Sequence, residues 1–373
     1  MRRRGPLAAF VALGLLWGTW AALVPAVQDA VGVSKGQLGL LLLLVAVASL
    51  PTMLLTGREV DRHGTRILPF AVVGLAVAAV LPALADSPGA LAGALLVLGV
   101  ATGATDVAMN SAVAELEARR STRLMQLAHA LFSAGVLVGA VACGIARQAG
   151  ASRLQILAPV ALAILVAAAL NIRQERIDRP RASSRGGLRL DRALIPIGIA
   201  CGAAFVIEGG MENWGALFVE RELDASPAVS ALAPAAHGFS MMLGRLSGQW
   251  LERRLGDTRL LASAAAVALV GLVVVSLAQV VPLAILGFFV GGAGISIAAP
   301  ALFGAGGRQA SPDERGRALA TVTTIGYLGF LVGPPLVGGA AEAVGLRAAF
   351  AVLALVAAAL VLATPRLGLE RKP

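Results

Sequence analysis

The sequence predicts an all-α membrane protein of twelve spanning helices arranged as two six-helix bundles. Three observations carry that prediction. Of the 373 residues, 58% are hydrophobic and only 14% charged, with a mean hydropathy of +0.83, which is more apolar surface than a soluble core of this length can hide. Windows free of Asp, Glu, Lys and Arg recur at the length a membrane demands, since a helix rising about 1.5 Å per residue needs roughly 20 residues to cross a hydrocarbon core of about 30 Å. A polar stretch from Arg173 to Arg192 then divides these windows six and six.

The charge-free windows cover 5–28, 36–57, 67–85, 87–105, 124–146, 154–172, 193–207, 225–244, 260–307, 318–341 and 348–365. The ninth is too long for one crossing and breaks at Gln279-Val280-Val281-Pro282, where a polar residue and a proline suit a turn, so the windows supply twelve spans. Span one follows Met1-Arg2-Arg3-Arg4 in the manner of a signal peptide, but eleven further spans favour a retained signal-anchor helix. Span seven is short only because Glu208 and Glu212 interrupt an apolar run that continues to Val219.

The net charge of +10 is distributed for a membrane rather than for nucleic acid. With the N-terminus inside, twenty-five Lys and Arg fall on the cytoplasmic side and five (Lys35, Arg147, Arg153, Arg221 and Arg347) outside, leaving Arg245 within span eight. The positive-inside rule therefore places both termini in the cytoplasm. Cys143 and Cys201, both within spans, suggest neither a disulfide framework nor a metal site.

The organisation expected is an N-terminal bundle over 1–172, a cytoplasmic arginine-rich linker over 173–191 and a C-terminal bundle over 192–373. A faint repeat links the halves: Gly57-Arg58-Glu59-Val60-Asp61-Arg62-His63-Gly64-Thr65-Arg66 follows span two, and Gly248-Gln249-Trp250-Leu251-Glu252-Arg253-Arg254-Leu255-Gly256 follows span eight at an offset of 191 residues. Gly57 matches Gly248, Asp61 matches Glu252 and Arg62 matches Arg253. The first copy resembles the signature loop of the major facilitator superfamily. Asp106-Val107-Ala108-Met109-Asn110, Glu208-Gly209 with Trp214, Leu243-Gly244-Arg245-Leu246 and Ile325-Gly326-Tyr327-Leu328-Gly329-Phe330-Leu331-Val332-Gly333-Pro334-Pro335 resemble the MosC/YbjJ-type bacterial inner-membrane permeases, with Leu23 and Asn213 as departures where Arg and Asp are expected. The resemblance implies a monomeric secondary transporter with parallel halves, a midplane site and alternating access. It also implies that Gly57, Asp61, Arg62, Gly64, Arg66, Glu252 and Arg253 form gating loops that hold the cytoplasmic side shut in the outward-facing state. Asp61 can meet Arg119, Arg120 or the helix end announced by Ser311-Pro312-Asp313-Glu314, which reads as a capping box.

Ionisable groups within spans are costly and so mark candidate sites. Asp106 has Asn110 one turn away on span four, where they form either a proton or substrate site or an interhelical hydrogen-bonding pair. Equal distance from the intervening loop puts His129 level with Asp106, and His237 level with Glu208. Glu208, flanked by Gly209 and Gly210, suggests a locally loosened helix, whereas Glu212 is expected at the outer rim, and Arg245 is expected to snorkel to the interface, with an inter-bundle salt bridge as the alternative. Trp17 and Trp20 share a face that can stack on a solute, Trp214 and Trp250 suit an interface belt, and Tyr327 is a substrate-contact candidate.

These residues point to proton-coupled transport of a small polar, sugar-like solute, with efflux of amphipathic compounds as the alternative. A non-transporting receptor or scaffold binding a partner through the linker is a third class. Enzymatic motifs are missing: there is no H-E-x-x-H, G-x-S-x-G or Walker A loop, the three histidines lie in separate elements, and neither a metal nor a cofactor is expected.

Overall fold

A computed structural model describes residues 4–120, 124–172, 192, 194–310 and 315–369. The arginine-rich linker and the expected capping box at Ser311 lie outside the described residues. The helices are α1 (Arg4–Val31), α2 (Lys35–His63), α3 (Ile67–Val80), α4 (Pro88–Arg120), α5 (Met125–Gln148), α6 (Arg153–Ile172), α7 (Ile195–Glu222), a single turn α8 (Pro227–Ser230), α9 (Leu232–Leu255), α10 (Asp257–Leu277), α11 (Val281–Ile295), α12 (Ala298–Gln309), α13 (Arg315–Val344) and α14 (Leu346–Ala363). Among the described residues ten segments are long and apolar enough to cross a membrane. One of them, Lys35–Leu84, is 50 residues long and has room for two crossings, and α9, too polar to count by hydropathy, is long enough for another, consistent with the twelve expected. The expected turn at 279–282 separates α10 from α11.

Local chemistry sets the helix ends. Ser34 opens α2 with a capping box, its hydroxyl accepting from the Gln37 N–H at 3.3 Å while the Gln37 side chain accepts from the Ser34 N–H at 3.0 Å. The two copies of the repeat end alike. Gly64 closes α2 at φ 63° and Gly256 precedes α10 at φ 71°, a backbone region that only glycine enters without cost.

Span ten is broken into α11 and α12 at Ser296-Ile297. Pro300 explains the break: it has no N–H to give to the Ser296 carbonyl, and its ring would clash with that oxygen in a continuous helix. Span seven, by contrast, runs unbroken through Gly209 and Gly210. The loosening expected there is absent because both glycines serve packing, Gly209 facing the Phe330 ring and Gly210 facing Leu353 and Val337.

Within each half, helices meet backbone to backbone. Gly14 and Gly18 of α1 lie against the Phe132 and Val136 carbonyls of α5, and Gly135 and Gly139 of α5 return the contact at Val11 and Leu15. In the other half, α7 and α13 meet at Gly202 and Gly329. Small residues are what let membrane helices approach this closely, because packing rather than the hydrophobic effect joins helices in lipid. The halves meet through α5 against α9 and α2 against α13.

A side chain at Gly139 has nowhere to go, since a Cβ there would fall inside contact distance of the Leu15 carbonyl and 2.9 Å from the Thr19 nitrogen. Gly139→Leu is therefore expected to destabilise the protein by at least the ~1–3 kcal/mol typical of overpacking. Gly93→Ala, inside α4 with open space for the added methyl, should leave the thermal unfolding midpoint in detergent no lower and raise it slightly, since alanine is favoured over glycine within a helix by roughly 0.5–1 kcal/mol.

Candidate functional site

Both ends of the described chain lie on one face, the terminal face, because the number of crossings is even. The opposite, far face is closed by contacts between the halves. Arg147 of α5 forms a forked ion pair with Glu220 of α7 at 2.9 and 3.0 Å, with the two side chains only 7% and 12% exposed. The Ser230 hydroxyl of α8 donates to the same carboxylate at 2.9 Å, and Arg147 also donates to the Ala22 carbonyl of α1 at 2.9 Å. Beside this cluster, Arg221 pairs with Asp29 at 2.5 Å, and the Gly36 N–H donates to Glu342 at 3.1 Å. Gly39 of α2 rests on the Pro334 carbonyl and Gly338 of α13. Sequence reasoning counted Arg147 and Arg221 only as exceptions to the charge bias. The signal available was the acid-base-acid triplet Glu220-Arg221-Glu222, which ends span seven on the same face as Arg147 and Asp29.

Beneath this closure lies a cavity of about 560 Å³ lined from both halves, within the size range of small-molecule sites. Met53, Met125, Gly248 and Leu260 line it from the terminal-face portions of their helices, so the cavity opens toward the terminal face. A side chain at Gly57 or Gly248 would meet nothing within 4 Å. Arg62 pairs with Glu59 on its own helix at 2.9 Å, Arg119 pairs with Glu115 at 2.8 Å, and Asp61 and Arg66 are exposed. The side chains of Glu252 and Arg253 lie outside those described.

The cavity wall carries the charges. Arg245 of α9 does not snorkel: it pairs with Glu208 of α7 at 3.3 Å, donates to the Ser133 hydroxyl of α5 at 2.7 Å and reaches the His129 carbonyl at 3.5 Å. One guanidinium thus holds a carboxylate of its own half and a hydroxyl of the other. An intramembrane arginine is stabilised by such partners, and the interface was too far for it to be the better solvent. Asp106 accepts from the Asn110 amide at 3.0 Å, and Asn110 also donates to the Asp106 carbonyl at 2.9 Å.

Equal depth does not bring the histidines onto the acids they are level with. His129 forms no ion pair with Asp106, and its ring meets Phe10 edge-to-face at 5.2 Å. His237 is turned toward Gly292 of α11, its Nδ1 buried without a hydrogen-bond partner, and it does not line the cavity. Depth fixes position along a helix, whereas the 3.6-residue turn fixes the face, and these faces diverge. Glu212 also differs from expectation. It lies one turn beyond Glu208 on the same face and, with Asn213, lines the deep end of the cavity rather than an outer rim.

Aromatic groups complete the wall. Trp17, Trp20, Phe205, Tyr327 and Phe330 line the cavity, with the Tyr327 and Phe205 rings 5.5 Å apart and Phe205 stacked on Phe330 at 4.5 Å. Trp214, expected in an interface belt, is fully buried in the core, whereas Trp250 is exposed with Arg254 over its ring at 4.3 Å. Among the described residues no group of three His, Cys, Asp or Glu could hold a metal ion.

Comparison with known proteins agrees with this geometry. The family model described as Major Facilitator Superfamily matches residues 7–288 and 203–373. The chain is 34% identical over 352 residues to an uncharacterised MFS-type transporter of Yersinia pestis, covering 93% of this chain and 91% of the relative. It is 28% identical over 338 residues to the membrane protein MosC of Rhizobium meliloti, covering 89% of this chain and 82% of the relative. Among solved structures, a mutant of the nucleoside transporter NupG superposes with a TM-score of 0.81 at 13% identity, covering 97% of this chain and 99% of that one.

The far-face closure can be tested by labelling. In a background with Cys143→Ser and Cys201→Ser, Asn213→Cys should resist an impermeant maleimide added at the far face. Adding Glu220→Ala should expose it several-fold, and the swap Arg147→Glu with Glu220→Arg should restore protection.

Proposed function

The chain belongs to the Major Facilitator Superfamily and is a multi-pass secondary transporter rather than an enzyme, and from that premise we propose that it moves a small polar, sugar-like solute by alternating access coupled to protons. One observation carries the reading: a cavity closed on one face, shared by both halves, contains an acid-base pair whose arginine also bonds across the halves. A proton on Glu208 cancels its charge and ends the ion pair, which leaves Arg245 tied only to the opposite half. Protonation at that carboxylate therefore changes the contact between the two moving parts, which is the linkage that coupled transport requires. Asp106, held by an amide rather than by a cation, is the second candidate proton site.

Trp17 offers a flat apolar face of the kind that receives the C–H face of a sugar, while Asn213, Tyr327 and Thr102 offer hydrogen bonds. Efflux of amphipathic compounds is the second reading, favoured by Met53, Met109 and Met125 near the mouth, since methionine adapts to varied apolar shapes. In this proposal the terminal face is cytoplasmic and the membrane is the bacterial inner membrane. The halves are 1–172 and 192–373, joined by a linker over 173–191, and the monomer is the working unit. Gly57, Asp61 and Arg62 with Gly248, Glu252 and Arg253 close the cytoplasmic face in the alternate state. A C-terminal green fluorescent protein fusion should fluoresce, and a dark fusion would overturn the orientation.

The decisive test is a thermal-shift screen of purified protein against sugars, polyols, amino acids, carboxylates and lipophilic cations at two pH values, with Asp106→Asn and Glu208→Gln alongside. A polar solute should stabilise the protein by several degrees in a pH-dependent way, and one acid variant should lose that dependence. The same solute should then accumulate in proteoliposomes when a proton gradient is imposed. Stabilisation by lipophilic cations alone, unchanged in both variants, would replace this reading with efflux.

A further inference from the structure

We propose that the solute carries a protonated amine and that Glu212 is its counter-charge, a step that rests on the polar-solute reading above. The described lining residues include three carboxylates, Asp106, Glu208 and Glu212, and one guanidinium, Arg245. Arg245 lies 3.3 Å from Glu208 and offsets that charge. Asp106 is met only by the neutral amide of Asn110, and Glu212 has no hydrogen bond or ion pair among the described residues. Two negative charges are therefore left over. A coupling proton neutralises one, and the remaining carboxylate faces a cavity walled by low-dielectric protein and lipid, where an unpaired charge is costly and its field on a ligand is weakly screened. A solute of charge +1 completes the balance, whereas an anion is repelled and a neutral solute leaves the charge uncompensated.

Geometry selects Glu212 over Asp106 for the amine. Glu212 is 17 residues into α7 counted from the terminal face, ~25 Å in at about 1.5 Å per residue, and lines the deep end of the cavity with Asn213 beside it. Asp106 is already engaged by the Asn110 amide, so among the described lining residues the unengaged carboxylate is Glu212, and hydroxyls beside an ammonium there can bond Asn213. This deep end lies directly beneath the Arg147–Glu220 closure, where a bound solute is held at the face that must open next.

The test uses matched probes on full-length protein: glucose, glucosamine and gluconate, and sorbitol with its 1-amino analogue, each titrated by calorimetry and thermal shift. The amines should bind about tenfold tighter than their neutral parents, the scale of one partly screened ion pair. Glu212→Gln should abolish that preference and Glu212→Asp retain it, with the ligand-free unfolding midpoint unchanged in both. A neutral parent bound as tightly as its amine, preference for gluconate, or a preference that survives Glu212→Gln would overturn the proposal. So would sodium-dependent stabilisation lost in Glu212→Gln, or no binding by any amine. A neutral polyol whose binding depends on pH through Glu208 would overturn the charge assignment and leave the polar-solute reading intact. Lipophilic cations as sole binders, indifferent to Glu208→Gln and Glu212→Gln, would overturn both.

Discussion

A charged side chain within a membrane must bring its solvent with it, and Arg245 meets that constraint by drawing on two other helices, α5 and α7. Glu208, the Ser133 hydroxyl and the His129 carbonyl together replace the hydration that the arginine loses. The rest of the site follows from this requirement. The acceptors come from both halves because α9 packs against α5 across the interface, and the cavity sits where they converge. Under the alternating-access reading proposed above, an arginine that depends on partners in both halves cannot keep all of them when the halves move, so its environment has two states.

The closure at the far face has a different character. Arg147 and Glu220 are nearly buried and share Ser230 and the Ala22 carbonyl, whereas Arg221 with Asp29 and Gly36 with Glu342 are exposed and individually weak. A gate needs a free-energy difference of only a few kcal/mol to hold one state and still release it. One buried cluster surrounded by weak contacts fits that scale better than an extensive apolar seal would.

Much of the fold was legible in the sequence because bilayer thickness acts on every span alike. Window lengths gave the crossings, and the turn at 279–282 fell where polarity and proline placed it. What was not legible is what depends on azimuth. Depth arithmetic set His129 level with Asp106 and His237 level with Glu208, yet the two histidines face Phe10 and Gly292 instead. Arg245 was assigned to the interface because its partners lie 37 and 112 residues away, on α7 and α5. The helix break was sought at Gly209, where glycine permits distortion, and was found four residues before Pro300, where proline compels it.

Under the alternating-access reading proposed above, the glycines of the two loops are placed for a second conformation. Gly57 and Gly248 have open space around them here, while Gly39, Gly139 and Gly329 each have a neighbouring backbone where a side chain would sit. Glycine inside a helix costs roughly 0.5–1 kcal/mol relative to alanine, a cost that close packing offsets at Gly139 but that nothing offsets at Gly57 in this state. If the terminal face closes as the far face has done, both loop glycines acquire the close neighbours they lack, and the far-face contacts at Gly39 are released. The sequence then encodes two packings of the same helices, with glycines at each face placed for the state in which that face is shut.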